Sequence, residues 1–296
     1  MNVVSQVIIL FIVAMVGALC RHNGYLTDSV IHSLTQIVIN ITAPCLVLYN
    51  MQRDFSRELL AGFLQTMFLT MVFILLAIAV GLAVYRKRPH DRRAVLADLL
   101  GFSNCGFMGY PIILAVNPEW MIYAVAYNVG FAFLSWTVGI SILGGKEAAS
   151  LKRAALNPNV IASALGFALF CLQLRWPAVL SDTLDMLGGL TTPLTMLLIG
   201  TRIYGIDTKE LKDADYHTSA LLRLVLLPLA VMLVSRLLPV SAAVRGTLVL
   251  LTAMPMGTMV SMQAELYGGD TVFAARACAW STLLSMVTIP LVAMML

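Results

Sequence analysis

Gly101-Phe-Ser-Asn-Cys-Gly-Phe-Met-Gly-Tyr-Pro111 is the stretch that decides the fold, and it lies inside an apolar segment from 94 to 118. The segment is long enough to cross a bilayer as a helix. However, its glycines lower helical stability, and Pro111 cannot donate a backbone hydrogen bond. Ser103 and Asn104 place polar groups where unpaired polarity is costly. The segment alone fits two interpretations: a proline-kinked helix packed through its glycines, or a discontinuous helix whose freed amides line a transport site.

The composition predicts the class of protein. Of 296 residues, 60% are hydrophobic and 11% are charged, and the mean hydropathy is +0.89. These values are typical of a polytopic helical membrane protein and exclude a soluble globular domain. The five cysteines lie in apolar stretches without a CxxC pair, so we predict free thiols, no metal site and no cofactor. The basic residues lie in short loops, so membrane topology explains the pI of 8.9 better than a nucleic-acid partner does.

Ten apolar stretches of membrane-spanning length follow one another along the chain. We expect the first to be a retained helix rather than a signal peptide, because no basic residue precedes it. The longest polar connection is 205–216. The ten predicted spans are 3–20, 29–50, 59–85, 94–117, 119–144, 157–175, 178–204, 217–239, 242–266 and 270–295.

The basic loop residues predict the orientation. Twelve of them fall on one side of the predicted spans and five on the other. The side richer in Lys and Arg is expected to be cytoplasmic, which places both termini outside the cytoplasm and the protein in the plasma (inner) membrane. The twelve are Arg21, Arg86, Lys87, Arg88, Arg92, Arg93, Lys146, Lys152, Arg153, Arg202, Lys209 and Lys212; the five are Arg53, Arg57, Arg175, Arg236 and Arg245.

The two halves of the chain correspond when one is shifted by 149 residues. Thr42-Ala-Pro44 falls on Thr191-Thr-Pro193. The fourth span falls on the ninth, where Leu250-Leu-Thr-Ala-Met-Pro-Met-Gly-Thr-Met-Val-Ser261 again combines proline, glycine and hydroxyls. Paired interrupted segments in an inverted repeat are the best sequence pointer to a transporter's binding site, so the transporter interpretation gains over the kinked helix. We therefore predict an all-α fold with a five-helix repeat over 1–148 and, because five is odd, an inverted second repeat over 149–296.

Further motifs join the stretch Asn104–Pro111: Asn157-Pro-Asn-Val-Ile161, Met254-Pro-Met-Gly257 through Ala264-Glu-Leu-Tyr-Gly-Gly-Asp270, and Ser281-Thr-Leu-Leu-Ser285 to Pro290. Together these motifs resemble the auxin efflux carrier family, which includes plant PIN auxin carriers and bacterial malate and malonate permeases. The likeness covers the whole chain. One departure is that family members often carry a second proline where this sequence has Val260.

The resemblance implies ten transmembrane helices in two inverted repeats, with the fourth and ninth spans broken and crossing at Pro111 and near Val260. It also implies a secondary active or facilitative carrier of small organic anions that works by elevator-type alternating access. Auxin-like and malate- or malonate-like carboxylates are the implied substrates. The implied domains are a scaffold that also forms a homodimer, 1–58 and 157–204, and a mobile transport domain, 59–144 and 217–296.

Two interrupted helices would aim the N-termini of their second halves at one site, each with unpaired amides and about half a positive charge for a carboxylate. The resemblance places Asn104 on the carboxylate, and its structural alternative is to cap the broken helix. The hydroxyls of Thr258 and Ser261 could instead bond back to their own helix. Each of the other side chains proposed to line the wall of the site, taken singly, fits ordinary helix packing. The candidate substrate-binding residues are Asn104, Gly106, Gly109, Tyr110, Pro111, Pro255, Thr258, Val260, Ser261, Asn40, Thr42, Tyr127 and Asn128; the candidates for a coupling proton or sodium ion are Ser103, Gln263 and Glu265.

Other interpretations remain for single residues and for the whole chain. Glu265 also fits an interfacial charge paired with Arg276, and Arg223 is expected to snorkel rather than to balance an anion. An intramembrane enzyme would need a nucleophile–base pair or metal ligands, but HExxH and GxSG motifs are absent from the sequence. An anion-selective channel would show polar stripes along several helices, whereas polarity here concentrates at two breaks. We therefore expect a carrier without catalytic residues.

Overall fold

The computed structural model describes residues 3–145, 152, 155–204 and 212–296. Three basic residues used to predict the orientation, Lys146, Arg153 and Lys209, lie outside the described residues, as does the predicted repeat boundary at 148–149. The described residues form helices and loops, with one short contact between two extended segments.

The main helices of the described ranges are numbered here in chain order. They are α1 (Val3–His22), α2 (Asp28–Asn50), α3 (Arg57–Val84), α4 (His90–Gly101), α5 (Cys105–Val116), α6 (Pro118–Gly144), α7 (Pro158–Leu172), α8 (Ala178–Ile203), α9 (Ala214–Leu237), α10 (Ala242–Ala253), α11 (Thr258–Tyr267) and α12 (Thr271–Ala293). Within the described ranges, seven of them are long and apolar enough to cross a membrane: α1, α2, α3, α6, α8, α9 and α12. α5, α7 and α10 are shorter apolar helices. This architecture fits the polytopic membrane protein that the composition predicts.

Polar residues in the loops set where helices begin. The Ser56 hydroxyl accepts a hydrogen bond from the N–H of Leu59 at 3.0 Å at the start of α3. Ser241 does the same for Val244 at 3.2 Å at the start of α10. Each cap satisfies an N–H group that the first helical turn cannot bond internally, so the helix start is fixed locally.

Wide π turns precede prolines inside three helices. The pairs are Val38–Thr42 before Pro44 in α2, Cys105–Gly109 before Pro111 in α5, and Leu222–Leu226 before Pro228 in α9. Proline has no N–H, and its ring crowds the carbonyl four residues earlier. A π turn adds one residue and changes which carbonyl faces the ring, so the helix continues through the proline.

α1 and α8 pack with their backbones in contact. A Cβ placed on Gly17 of α1 would lie 2.1 Å from the carbonyl oxygen of Leu197. A Cβ placed on Gly200 of α8 would lie 1.8 Å from the carbonyl oxygen of Ala14. Small residues allow membrane helices to approach this closely, so these two glycines hold the pair together.

An ion cluster around Arg92 ties the starts of α4, α9 and α12. The Arg92 guanidinium contacts the carboxylate of Asp270 at 2.6 Å and also pairs with Asp213 and Asp215. Arg88 contacts Asp215 at 2.8 Å. Because the Asp215 side chain is only 5% exposed, solvent screens these charges weakly.

A separate polar contact joins α2 to α6. Arg53, just after α2, pairs with the carboxylate of Glu119 and donates to the carbonyl of Pro118 at 3.2 Å. The contact therefore links the segment 1–58 to the segment 59–144, which the resemblance assigns to different domains.

Candidate functional site

The two interrupted helices break at the same place in the fold. α4 ends at Gly101 and α5 begins at Cys105, while α10 ends at Ala253 and α11 begins at Thr258. The residues between these ends are extended instead of helical, and the two extended segments lie against each other. We call this place the crossing.

Backbone hydrogen bonds hold the crossing. The N–H of Asn104 donates to the carbonyl of Pro255 at 2.8 Å, and the N–H of Gly257 donates to the carbonyl of Phe102 at 2.9 Å. Each break thus supplies partners for the other, as non-helical backbone away from water requires. The two interruptions predicted from the sequence meet in this antiparallel bridge.

The bridge lies before Pro111, where the resemblance placed the crossing in the first half of the chain, and close to Val260, near which the resemblance placed it in the second half. The bridged residues are Ser103 and Met256. Pro111 lies inside α5, directly after the π turn Cys105–Gly109, and the wider turn accommodates the proline without a break. Val260 lies in the first turn of α11 and is fully buried.

α12 supports the second break from behind. The Ser281 hydroxyl accepts a hydrogen bond from the N–H of Met256 at 3.1 Å, and the Cys278 thiol donates to the carbonyl of Gly257 at 3.4 Å. A Cβ on Gly257 would lie 3.0 Å from the carbonyl oxygen of Phe102. A side chain at this position would fit only if the two backbones moved apart by a few tenths of an ångström.

Arg223 of α9 caps both half-helices that end at the crossing. Its side chain is 1% exposed, and its guanidinium donates to the carbonyl of Leu100 at 2.6 Å and to that of Met254 at 3.2 Å. These carbonyls close α4 and α10, where acceptors lack intrahelical donors and the helix dipole is negative. The expectation that Arg223 snorkels is wrong, because the two breaks leave acceptors that the guanidinium fork matches.

The N-terminal end of α5 offers donors to a solute. Helix geometry leaves the amides of Cys105, Gly106 and Phe107 without intrahelical acceptors. Asn104 is the N-cap residue of this helix and is 6% exposed. In the described structure its side chain makes no capping hydrogen bond, so the capping alternative does not explain it. Its amide lies beside the positive end of the helix dipole.

Side chains of α6 line the start of α5. The Tyr127 hydroxyl lies 3.4 Å from the Ser103 hydroxyl, and the Cys105 thiol lies 3.9 Å from the Asn128 side-chain oxygen. A Cβ on Gly106 would lie 3.5 Å from the Asn128 side-chain nitrogen. The structure thus gathers five of the residues singled out in the sequence around one helix start: Ser103, Asn104, Gly106, Tyr127 and Asn128.

Other predicted residues of α5 hold it against its neighbours. A Cβ on Gly109 would lie 2.5 Å from a methyl carbon of Leu251 in α10, so the glycine permits close packing there. Tyr110 is 1% exposed, and Pro111 and Pro255 are also buried. The structure shows that these residues are buried, and their contact with a solute stays a prediction.

Of the two candidates from α2, Asn40 has its partner away from the crossing, whereas the buried hydroxyl of Thr42 has no hydrogen-bond partner among the described residues. Asn40 is exposed, and its side-chain amide donates to the backbone and side-chain oxygens of Gln36 at 2.9 Å. Thr42 is 1% exposed. α2 meets the start of α5 through Phe107, which packs against the cluster that contains Val38.

α11 carries the remaining candidates. Thr258 and Ser261 are half-buried, while the fully buried Gln263 donates to the hydroxyl of Ser135 in α6 at 3.0 Å. Glu265 is exposed, as the interfacial alternative expects. In the described ranges, no group of three or more His, Cys, Asp or Glu residues is placed to hold a metal ion.

Comparisons with known proteins agree with this architecture. The family described as "Membrane transport protein" matches residues 2–154 and 147–293. The "Uncharacterized transporter YfdV" of Escherichia coli (strain K12) is 20% identical over 249 residues, which cover 78% of this chain and 77% of that protein. The protein of the same name from Shigella flexneri matches to the same extent.

Proposed function

The chain belongs to the membrane transport protein family, and on this premise we propose that it carries small organic anions across the membrane. The proposed substrates are carboxylates, either malate- or malonate-like or auxin-like, because the sequence motifs resemble carriers of these solutes. The relative from Escherichia coli is named a transporter, which favours transport over catalysis.

The chemistry of the crossing supports an anion as the solute. The start of α5 presents amides that lack acceptors within the helix and about half a positive charge, and the Asn104 side chain can add two donors. The fixed charge of Arg223 lies behind the crossing, where the carbonyls of Leu100 and Met254 share its donors. A carboxylate would find both hydrogen-bond donors and positive potential there.

We propose that α4 with α5 and α10 with α11 each form one broken span, which gives ten spans in two inverted repeats over 1–148 and 149–296. The scaffold would comprise 1–58 and 157–204 and would form the homodimer. The transport domain would comprise 59–144 and 217–296. The close α1–α8 contact lies within the scaffold so defined, and the Arg92–Asp270 ion pair lies within the transport domain, so each unit has an internal tie of its own. Both termini would be extracytoplasmic in the plasma (inner) membrane.

Counterflow of labelled malonate in proteoliposomes tests the proposal, after a screen of mono- and dicarboxylates with and without sodium. Asn104→Ala should weaken uptake about tenfold to a hundredfold, because a hydrogen bond to a charged group contributes about 1.5–3 kcal/mol. Asn50→Ala is the matched control, since the Asn50 amide bonds back to Leu46 of its own helix at 2.9 Å. Undiminished uptake by a folded Asn104→Ala protein would remove this residue from the site.

The same assay separates a carrier from a channel. A carrier with one alternating site saturates with solute and accelerates uptake when unlabelled solute is present on the opposite side. Uptake that neither saturates nor shows counterflow would contradict the alternating-access mechanism and favour an anion-selective channel.

A further inference from the structure

Asp98 is a buried carboxyl group with no role in the crossing described above. It lies in α4, one turn before the helix ends at Gly101, and it is 0% exposed. Among the described residues, neither of its carboxyl oxygens has a hydrogen-bond partner. An ionised carboxylate in such surroundings is very costly, so the group must either take up a proton or hold a cation.

The polar pair Ser135–Gln263 lies about one helical turn along α6 from the glycine that faces Asp98. A Cβ on Gly139 of α6 would lie 3.5 Å from a carboxyl oxygen of Asp98, so the carboxyl group faces α6 at this glycine. Ser135 lies about one helical turn before Gly139 and bonds to Gln263 of α11. All three polar residues are fully buried along the seam between α4, α6 and α11.

A cavity approaches Asp98 from the end of the bundle where α4 begins. Its volume is about 190 Å³, and it is lined by Leu82, His90, Arg93, Ala94, Ser141 and Ile142. Ala94 lies one turn before Asp98 on α4, and Ser141 lies two residues after Gly139 on α6. Water in this cavity would come within about one helical turn of the carboxyl group, which provides a short route for a proton.

The charged and titratable groups on the helices packed against α4 have contacts elsewhere or are exposed. His90 and Arg93 line the cavity, and Asp91, Arg57, Glu58, Arg236 and Glu265 are exposed. The others and their contacts are Arg92 with Asp213, Asp215 and Asp270; Arg88 with Asp215; Arg223 with Leu100 and Met254; Arg276 with Tyr216; His217 with Trp280; and Glu119 with Arg53.

We propose that Asp98 is a proton-binding site that couples solute transport to a proton gradient. In the conformation described here the carboxyl group carries its proton, which removes the cost of a buried charge. When the transport domain moves, the proton leaves through the cavity. This inference rests on the proposed carrier function, but proton binding itself can be measured without any solute.

Infrared spectroscopy of the purified full-length protein tests proton binding directly. At pH 7 the wild type should show the C=O stretching band of a protonated carboxyl group, and Asp98→Asn should lack it. Asp185→Asn makes the same chemical change at an exposed position of α8 and should keep the band. A band that is unchanged in Asp98→Asn would overturn the proposal, as would a wild-type protein without such a band.

Uptake of labelled malonate then tests coupling. A pH gradient should drive accumulation in wild-type proteoliposomes by up to about tenfold per pH unit for one proton per solute. For Asp98→Asn the ratio of uptake with and without the gradient should fall to one. Wild-type counterflow that ignores pH but responds to sodium would overturn the coupling proposal and leave the carrier function standing. Absence of counterflow for every carboxylate would instead contradict the carrier function.

Discussion

Replacing Gly200 by alanine should force α1 and α8 apart and destabilise the protein. The added Cβ would lie 1.8 Å from the carbonyl oxygen of Ala14 and 2.7 Å from the backbone nitrogen of Ala18. Non-bonded heavy atoms need a separation of about 3.5 Å, so the helices must move by well over an ångström. Both obstructing atoms belong to the backbone, and no change of rotamer can relieve the clash. Overpacking costs about 1–3 kcal/mol, and we expect the upper end of this range.

Gly189→Ala is the matched control on the same helix. Among the described residues, no heavy atom lies within 4 Å of the Cβ that it would add. Removal of a helical glycine should stabilise the protein by about 0.5–1 kcal/mol. Thermal unfolding of the detergent-purified proteins measures both effects. If the melting temperature of Gly200→Ala equals that of the wild type, the close α1–α8 contact does not exist as described.

Three further substitutions test the crossing and the link between α2 and α6. Arg223→Met should destabilise the protein by about 2–4 kcal/mol, because the carbonyls of Leu100 and Met254 lose their donors while relief of a buried charge offsets part of the cost. Arg223→Lys should lose less, since it keeps the charge and can bond one carbonyl. Equal thermal stability of the methionine variant and the wild type would contradict the capping role. Glu119→Gln removes the ion pair with Arg53 and should speed malonate uptake by at most about fivefold, because exposed pairs are weak. The proposed movement of the transport domain against the scaffold would break this ion pair, so slower uptake by Glu119→Gln would contradict that movement.

Much of the fold could be predicted because its determinants are local. Hydropathy marks the apolar stretches, and the clusters of glycine, proline and hydroxyl residues mark both interruptions. The family resemblance drawn from the motifs is confirmed by the match along the chain. The exact position of the crossing could not be predicted. Pro111 is the strongest local helix breaker, but the π turn before it absorbs the proline, and Asn104 instead finds its partner in Pro255 across the fold.

Two of the buried ionisable residues, Arg223 and Asp98, show what local sequence cannot decide. An arginine in an apolar helix can reach the interface or bond inside the protein, and for Arg223 one deciding acceptor, Leu100, lies 123 residues away along the chain. Asp98 did carry a sequence signal, because an ionisable residue within an apolar stretch is a functional candidate. Only the packing of α6 and α11 around α4 shows that its carboxyl group is buried without a partner.

The π turn in α5 makes the spacing between Asn104 and Pro111 as important as the identity of the residues. Deleting or inserting one residue there would rotate the rest of the helix by about 100°, and Gly109 would no longer face Leu251. A change in the length of this stretch therefore alters every contact of the following part of the helix at once. The π turn and the proline after it are thus structurally coupled, because the extra residue accommodates the ring and also sets which way the rest of the helix faces.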